Sequence, residues 1–170
     1  MTSIPGIQLR EATSADVPAM ARCKLSDPTD SVADPRMTAY FDRQHHPQKA
    51  LPARIGYLAL ANDAVVGYIA GHRTTRNGCA GEVQYLYVAP AYRRRAIATE
   101  LLRLLASWFQ EQGAQKVCVG IARDSPAEAK PFYESVGASP LKRNWYGWED
   151  IGVISRLTPA EEVSKPAKQV

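Results

Sequence analysis

Residues 7–12, IQLREA, alternate apolar and polar side chains, the period of a strand with one buried face. Thr13-Ser14-Ala15-Asp16 then offers caps for a helix through VPAMARCKL. Between residues 26 and 54 the pattern loses regularity: prolines break DPTDSVADPRM, and TAYFDRQHH reads as a short helix. IGYLALAND (55–63) and AVVGYIAGHRT (64–74) read as a hairpin turning at Asn62-Asp63. GEVQYLYVA (81–89) reads as a strand, and period-2 alternation would put Glu82, Gln84, Leu86 and Val88 on one face. AIATELLRLLASWFQEQG follows as an amphipathic helix. Its stripe is Ile97, Leu101, Leu104, Leu105 and Trp108, with Gly113 at its C-terminal cap. KVCVGIA (116–122) is a buried strand. SPAEAKPFYESVGA (125–138) is a helix with a first-turn proline and a second, Pro131, that should bend it. Two strands near 139–146 and 151–157 would close the sheet. The order β-α-(α)-β-β-β-α-β-α-β-β predicts an α/β protein with a mixed sheet and helices on both faces.

A length of 170 residues is enough for one domain with one sizeable core, here expected over 1–158, with a polar, disordered tail at 159–170. With 45% apolar and 22% charged residues, the chain is outside the disordered class. No apolar run approaches the roughly 20 residues of a membrane helix, and the N-terminus lacks the layout of a signal peptide. The expectation is a cytoplasmic protein with no membrane partner. The three cysteines are odd in number and far apart, with no CxxC pair, which fits reduced thiols. His45 and His46, adjacent on a helix, would point about 100° apart and lack a third ligand at metal-site spacing, so no metal is expected. An edge strand could pair two chains into a homodimer, though nothing in the sequence decides it.

The formal charge of +4 is mild, but three of the arginines, Arg93, Arg94 and Arg95, stand together where the strand at 81–89 gives way to the long helix. The first turn of a helix has backbone N–H groups without intrahelical partners, and the macrodipole makes that end positive. Ala96 and Ala98, with small side chains, leave an anion room to reach this backbone. A diphosphate is one guest that fits. A solvated helix start is the plain alternative. Nucleic acid is a third, disfavoured because the other basic residues are scattered and glutamates follow soon after.

The run V-x-P-x-Y-R-x-x-A-x-A-x-x-L-L resembles the core motif of the GCN5-related N-acetyltransferase (GNAT) family, whose signature is [QR]-x-x-G-x-[GA]. Arg93 takes the first place, Ala96 that of the first glycine and Ala98 the last. PFYESVGA is similar to the family's xxYxxxGF, and the resemblance covers roughly residues 7–157. It implies a mostly antiparallel sheet of six to seven strands in which strands 4 and 5 splay. It also implies acetyl-CoA as co-substrate, with its pyrophosphate on the backbone of Arg94, Arg95, Ala96, Ile97, Ala98 and Thr99. An arginine among Arg93 to Arg95 would reach the 3′-phosphate, and the pantetheine arm would lie along Leu86, Tyr87 and Val88. Two places depart from the family: Ala96 replaces a glycine, at a cost if that residue needs positive φ, and Pro126 stands where an asparagine is common.

Acyl transfer to an amine must take a proton from the ammonium and favours a donor at the departing thiolate. Tyr133 matches the family tyrosine near the CoA sulfur and is the acid candidate. Glu82, matching a glutamate of several family members, is the base candidate, directly or through water. An acceptor site would come from residues 26–50 and LKRNWYGWED, where Tyr40, Phe41, Trp145, Tyr146 and Trp148 line a pocket or belong to the core. The expected function is an acetyl-CoA-dependent N-acetyltransferase acting on a primary amine, small molecule or protein, in a ternary complex. A catalytically inactive CoA-binding regulatory module and a nucleic-acid binder are the alternatives.

Overall fold

The computed structural model describes residues 3–24, 34–123 and 125–157. The expected tail at 159–170, and the part of the irregular segment at 25–33, lie outside the described residues. The sheet has seven strands in the order β1-β2-β3-β4-β5-β7-β6. They are β1 (Gln8–Glu11), β2 (Ala50–Ala61), β3 (Ala64–Thr74), β4 (Gly81–Val88), β5 (Val117–Gly120), β6 (Ser139–Lys142) and β7 (Trp145–Trp148). Asn62 (φ 49°) and Asp63 (φ 66°) both adopt the left-handed conformation that a tight β2–β3 hairpin requires.

Among the described strands only β4 and β5 run parallel, because the long helix α3 (Ile97–Glu111) crosses over between them. They pair at just three positions, Gly81↔Val117, Glu82↔Cys118 and Val83↔Val119. Beyond these β5 ends at Gly120, while β4 continues to Val88, still paired to β3. The two strands therefore splay, leaving the β5-facing edge of β4 open, as the fold expectation requires.

Helices cover both faces. On one face α3 packs its buried residues Ile97, Leu101, Leu102, Leu105, Ala106 and Phe109 on the sheet, joined by Tyr133 and Val136. The predicted stripe is corrected here: Leu104 and Trp108 are only half-buried, at the rim, and Leu102, Ala106 and Phe109 complete the buried face. Gly113 (φ 74°) ends the helix, with the Ala114 amide donating to the Phe109 carbonyl at 2.8 Å. On the other face α1 (Val17–Cys23) and α2 (Pro35–Phe41) bring Val17, Met20 and Met37 onto Leu58 and Tyr68.

Three other expectations change. The helix predicted over 125–138 is α4 (Ala129–Ser135); Ser125 and Pro126 lie in turns before it. Pro131 falls in its first turn, where a missing N–H costs no helical bond, so it does not bend the helix. The closing strands are β6 and β7, and Ile151–Arg156 is a 3-10 helix rather than a strand. Asp150 caps it by accepting from the Gly152 amide at 2.8 Å, and Arg103 of α3 holds it by donating to the Ile154 carbonyl at 3.0 Å. Among the described residues no helix is long and apolar enough to cross a membrane.

Candidate cofactor groove and active site

The β3–β4 ladder slips by one residue: Ala70 pairs with Tyr85, but the next residue, Gly71, pairs with Val83. Gln84 is the extra residue of a β-bulge, and a bulge inverts which face the side chains take. Val83, Leu86 and Val88 all belong to the α3-side core. Tyr85 and Tyr87 pack with the α1–α2 core. Glu82 therefore points to the α1–α2 side with the tyrosines, not with Leu86 and Val88 as simple alternation predicted.

After β4 the chain makes a turn at Pro90–Tyr92 and enters the arginine run. Arg93 folds back: its Nε donates to the Val88 carbonyl at 2.8 Å and its guanidinium lies 5.5 Å from the centre of the Tyr87 ring. It fixes the loop against the strand end. Arg94 and Arg95 are exposed. Arg95 also stacks on Tyr92, at 5.4 Å, and donates to the Pro5 carbonyl at 3.3 Å. Arg94 (φ 62°) and Ala96 (φ 63°) are both left-handed. Ala96 is the N-cap of α3 and supplies no side-chain acceptor. The first helical bond runs from the Glu100 amide to the Ala96 carbonyl, 3.0 Å, so the amides of Ile97 and Ala98 have no acceptor within the helix. A left-handed residue followed by helical ones turns successive N–H groups toward one point, an anion-binding concavity. Glu100, the only acid in this first turn, is buried and turned onto Arg103 at 2.7 Å, so its charge does not oppose an anion there.

The unbonded amides at the start of α3 thus follow directly on the exposed Arg94 and Arg95, a few residues beyond the open edge of β4. These features fit the diphosphate, 3′-phosphate and amide-bearing arm of coenzyme A.

Tyr133 lies on the α3 side, 6% exposed, its ring edge-on to Trp148 at 6.0 Å and packed on Phe132 at 5.4 Å. Burial pushes its phenol well up from the ordinary value, so it stays protonated and able to donate.

Glu82 lies on the opposite face of the sheet. It is 4% exposed, not a solvent-facing strand start. Its Oε1 is 3.6 Å from His72 Nε2 and its Oε2 is 3.8 Å from Arg76 Nη1. Arg76 is held over the Trp145 ring at 4.4 Å. Behind His72, Nδ1 meets the Tyr40 hydroxyl at 2.9 Å. Arg54 covers the Tyr40 ring at 4.6 Å. Its guanidinium donates to the carbonyls of Tyr40 (3.0 Å) and His45 (2.8 Å) and meets His46 Nδ1 at 2.7 Å. The paired histidines thus help to pin the segment before β2, and among the described residues no cluster of metal-ligating groups occurs. Of the five aromatic residues considered for an acceptor pocket, Tyr40 and Trp148 are core, at 0% and 1% exposure. Phe41, Trp145 and Tyr146 are half-buried.

Sequence reasoning did not single out His72, Arg76 or Arg54. The available signal was the placement of His72 in AVVGYIAGHRT, two and four residues from Ala70 and Tyr68, and so on a buried face.

The Acetyltransferase (GNAT) family matches residues 19–138 of the chain. A sequence comparison with curated proteins found no match. An acetyltransferase of the GNAT family from Staphylococcus aureus Mu50 superposes with a TM-score of 0.64 at 20% identity, covering 83% of this chain and 97% of that one. The ribosomal-protein-S18-alanine N-acetyltransferase of Escherichia coli gives 0.58 at 14% identity, covering 83% and 92%. The PaiA N-acetyltransferase of Thermoplasma acidophilum, in complex with coenzyme A, gives 0.56 at 15% identity, covering 83% and 96%. At these identities the structural likeness speaks for the fold.

Proposed function

The chain belongs to the Acetyltransferase (GNAT) family, and we propose that it moves the acetyl group of acetyl-CoA to a primary amine by direct attack within a ternary complex. The observation that carries this reading is the uncapped start of α3, behind left-handed Arg94 and Ala96 and beside the open edge of β4. Backbone amides from Arg94 through Thr99 would hold the diphosphate, the exposed Arg94 or Arg95 the 3′-phosphate, and Leu86, Tyr87 and Val88 the pantetheine arm. Arg93 would act from beneath, by fixing the loop. The co-substrate supplies an activated thioester carbonyl.

The chain's own groups would do the rest. An alkylamine, with an ordinary pKa near ~10.4, arrives protonated. Glu82, or a water it orders, takes that proton. Amides on the open edge of β4 would polarise the carbonyl. Tyr133 would donate a hydrogen bond to the leaving sulfur, and the second proton, which the attacking nitrogen sheds on becoming an amide, would pass to that sulfur to give the free thiol. A phenol raised by burial is a weaker acid than a thiol of ordinary pKa ~8.5, so its part is to stabilise the thiolate while keeping its own proton. Glu82 and Tyr133 lie on opposite faces of the sheet, which suits a base on the amine side and a donor on the sulfur side. The acceptor, a small amine or a protein amine, would approach beside Trp145 and Phe41.

The test is calorimetric titration with acetyl-CoA and with CoA lacking the 3′-phosphate, followed by thiol release over a panel of primary amines. Saturable binding, weaker without that phosphate, and amine-dependent release are expected. Tyr133→Phe should bind acetyl-CoA as the parent does and, having lost the donor to the developing thiolate, turn over about 100-fold more slowly. Absence of binding at millimolar acetyl-CoA would refute the proposal. Binding without thioester consumption on any amine would indicate the inactive module instead.

A further inference from the structure

Across the β3–β4 ladder His72 stands directly opposite Glu82. Both are buried, at 0% and 4% exposure, and Nε2 and Oε1 face each other at 3.6 Å with no hydrogen-bond partner on either atom. Buried polar atoms without partners are rare enough to need a reason. An N–H on Nε2 aimed at a carboxylate would close to ~2.7–2.9 Å. Two bare acceptors stand off, as these do. The other ring nitrogen explains how Nε2 can be bare: Nδ1 is 2.9 Å from the Tyr40 hydroxyl, whose oxygen can accept the ring proton. Burial pushes the Tyr40 phenol well up, so it remains a neutral hydroxyl.

We propose that the base of this site is a pair, with His72 the positioning residue that receives and holds the proton Glu82 takes from the amine. The proposal rests on the reading of Glu82 as that base. The N–H bond of the acceptor ammonium breaks and an O–H bond forms on Glu82. That O–H bond then breaks and an N–H bond forms at His72 Nε2. The result is a carboxylate beside an imidazolium, with both formerly unpartnered atoms satisfied and Nδ1–H still donated to Tyr40. After acetyl transfer the proton leaves by the same carboxylate to solvent, restoring the neutral ring.

The surroundings favour brief storage over permanent protonation. Arg54, the β2 partner of His72 across the ladder, lies over the Tyr40 ring. Arg76 faces Glu82 from the β3–β4 turn. Tyr85 of β4 packs edge-on to Tyr40 at 5.5 Å, and Cys118 of β5 lies opposite Glu82. Among these groups Glu82 is the sole anion, and two cations oppose an added proton.

The experiment uses the full chain with 15N-labelled histidine rings, read by long-range proton–nitrogen correlation. The chain has three histidines, so His45→Gln and His46→Gln identify the His72 signals by elimination. At the pH of the transfer assay the resting His72 proton is expected on Nδ1 with Nε2 bare. In Glu82→Gln the side-chain amide can donate to the bare Nε2, so that nitrogen's signal should move to the position of a hydrogen-bonded acceptor. In Tyr40→Phe the resting proton should move to Nε2. A resting proton on Nε2 in the parent protein, or an Nε2 signal unmoved in Glu82→Gln, would overturn the proposal while leaving Glu82 as a simple base. Undiminished acetyl transfer by Glu82→Gln over the amine panel would instead remove Glu82 as the base and this proposal with it.

Discussion

Ala96 holds φ 63° at the N-cap of α3, where the family pattern has glycine. For an L-residue the left-handed conformation costs roughly 1–2 kcal/mol, because Cβ crowds the neighbouring carbonyl oxygen. Ala96→Gly removes that cost. Two terms oppose the gain. Glycine gives the unfolded chain more freedom, about 0.5–1 kcal/mol, and the half-buried methyl group is worth a few tenths of a kcal/mol, an order-of-magnitude figure. The net expectation is a stabilisation of about 0.5 kcal/mol, one or two degrees in Tm for a domain of this size. Ala98 provides the control. It lies two residues on, inside the helix, where the same change should destabilise by ~1 kcal/mol. The two variants should therefore differ by ~1.5 kcal/mol, or about 3–6 °C in paired thermal melts. Acetyl-CoA affinity should be retained in Ala96→Gly, because the amide array remains and a methyl group leaves its rim. If both glycine variants lower Tm equally, Ala96 is not strained and the account of this loop fails.

Two further outcomes test the frame around the site. At Gly81 a Cβ would lie 2.5 Å from Phe109 Cε1. Gly81→Ala should therefore overpack the β4–α3 contact and cost about 2 kcal/mol in urea unfolding; an unchanged midpoint would mean that Phe109 moves freely. Burial pushes the Cys23 thiol up to about 11, although the Ala89 backbone bond works against that shift. Only about one thiol in a thousand is then ionised near pH 8, so iodoacetamide should alkylate Cys23 on the order of 100-fold more slowly than free cysteine. Mass spectrometry finding labelling at the free-thiol rate would contradict that burial.

Elements governed by local chemistry were legible in the sequence. The Asn62-Asp63 turn, the strand at 81–89, the long helix and its Gly113 end all follow from nearest-neighbour rules. The unbonded amides where the arginine run meets α3 were legible for the same reason, since they are backbone at a helix start and need no distant residue. What depended on tertiary packing was less so. Pro131 looked like a bend only because the start of its helix was placed four residues early. Residues 151–157 looked like a strand from their apolar alternation, but Asp150 caps a 3-10 turn there and Arg103 holds its end. Tyr40 and Trp148 could not be sorted into pocket or core without their partners. Tyr40 is claimed by His72 and Arg54, and the indole of Trp148 donates to the Val136 carbonyl at 3.1 Å.

The orientation of Glu82 turns on a single residue. Strand side chains have a period of two, so one inserted position reverses every face beyond it. Without the bulge at Gln84, Glu82 would share the face of Leu86 and Val88 and press a carboxylate toward the Leu105–Phe109 side of the sheet, where Gly71 already leaves no room for a Cβ: Leu105 and Phe109 carbons would lie 3.0 Å from it. With the bulge, the same strand sends Val83, Leu86 and Val88 into the α3 core and turns Glu82 toward His72, Arg76 and the half-buried Trp145. The strand can then keep an open edge along its outer half while its inner half carries a buried carboxylate on the opposite side. Alternation read from sequence cannot place that insertion, because the extra residue, a glutamine, fits a polar position in either register. The pairing of Gly71 with Val83 beside Ala70 with Tyr85 identifies it.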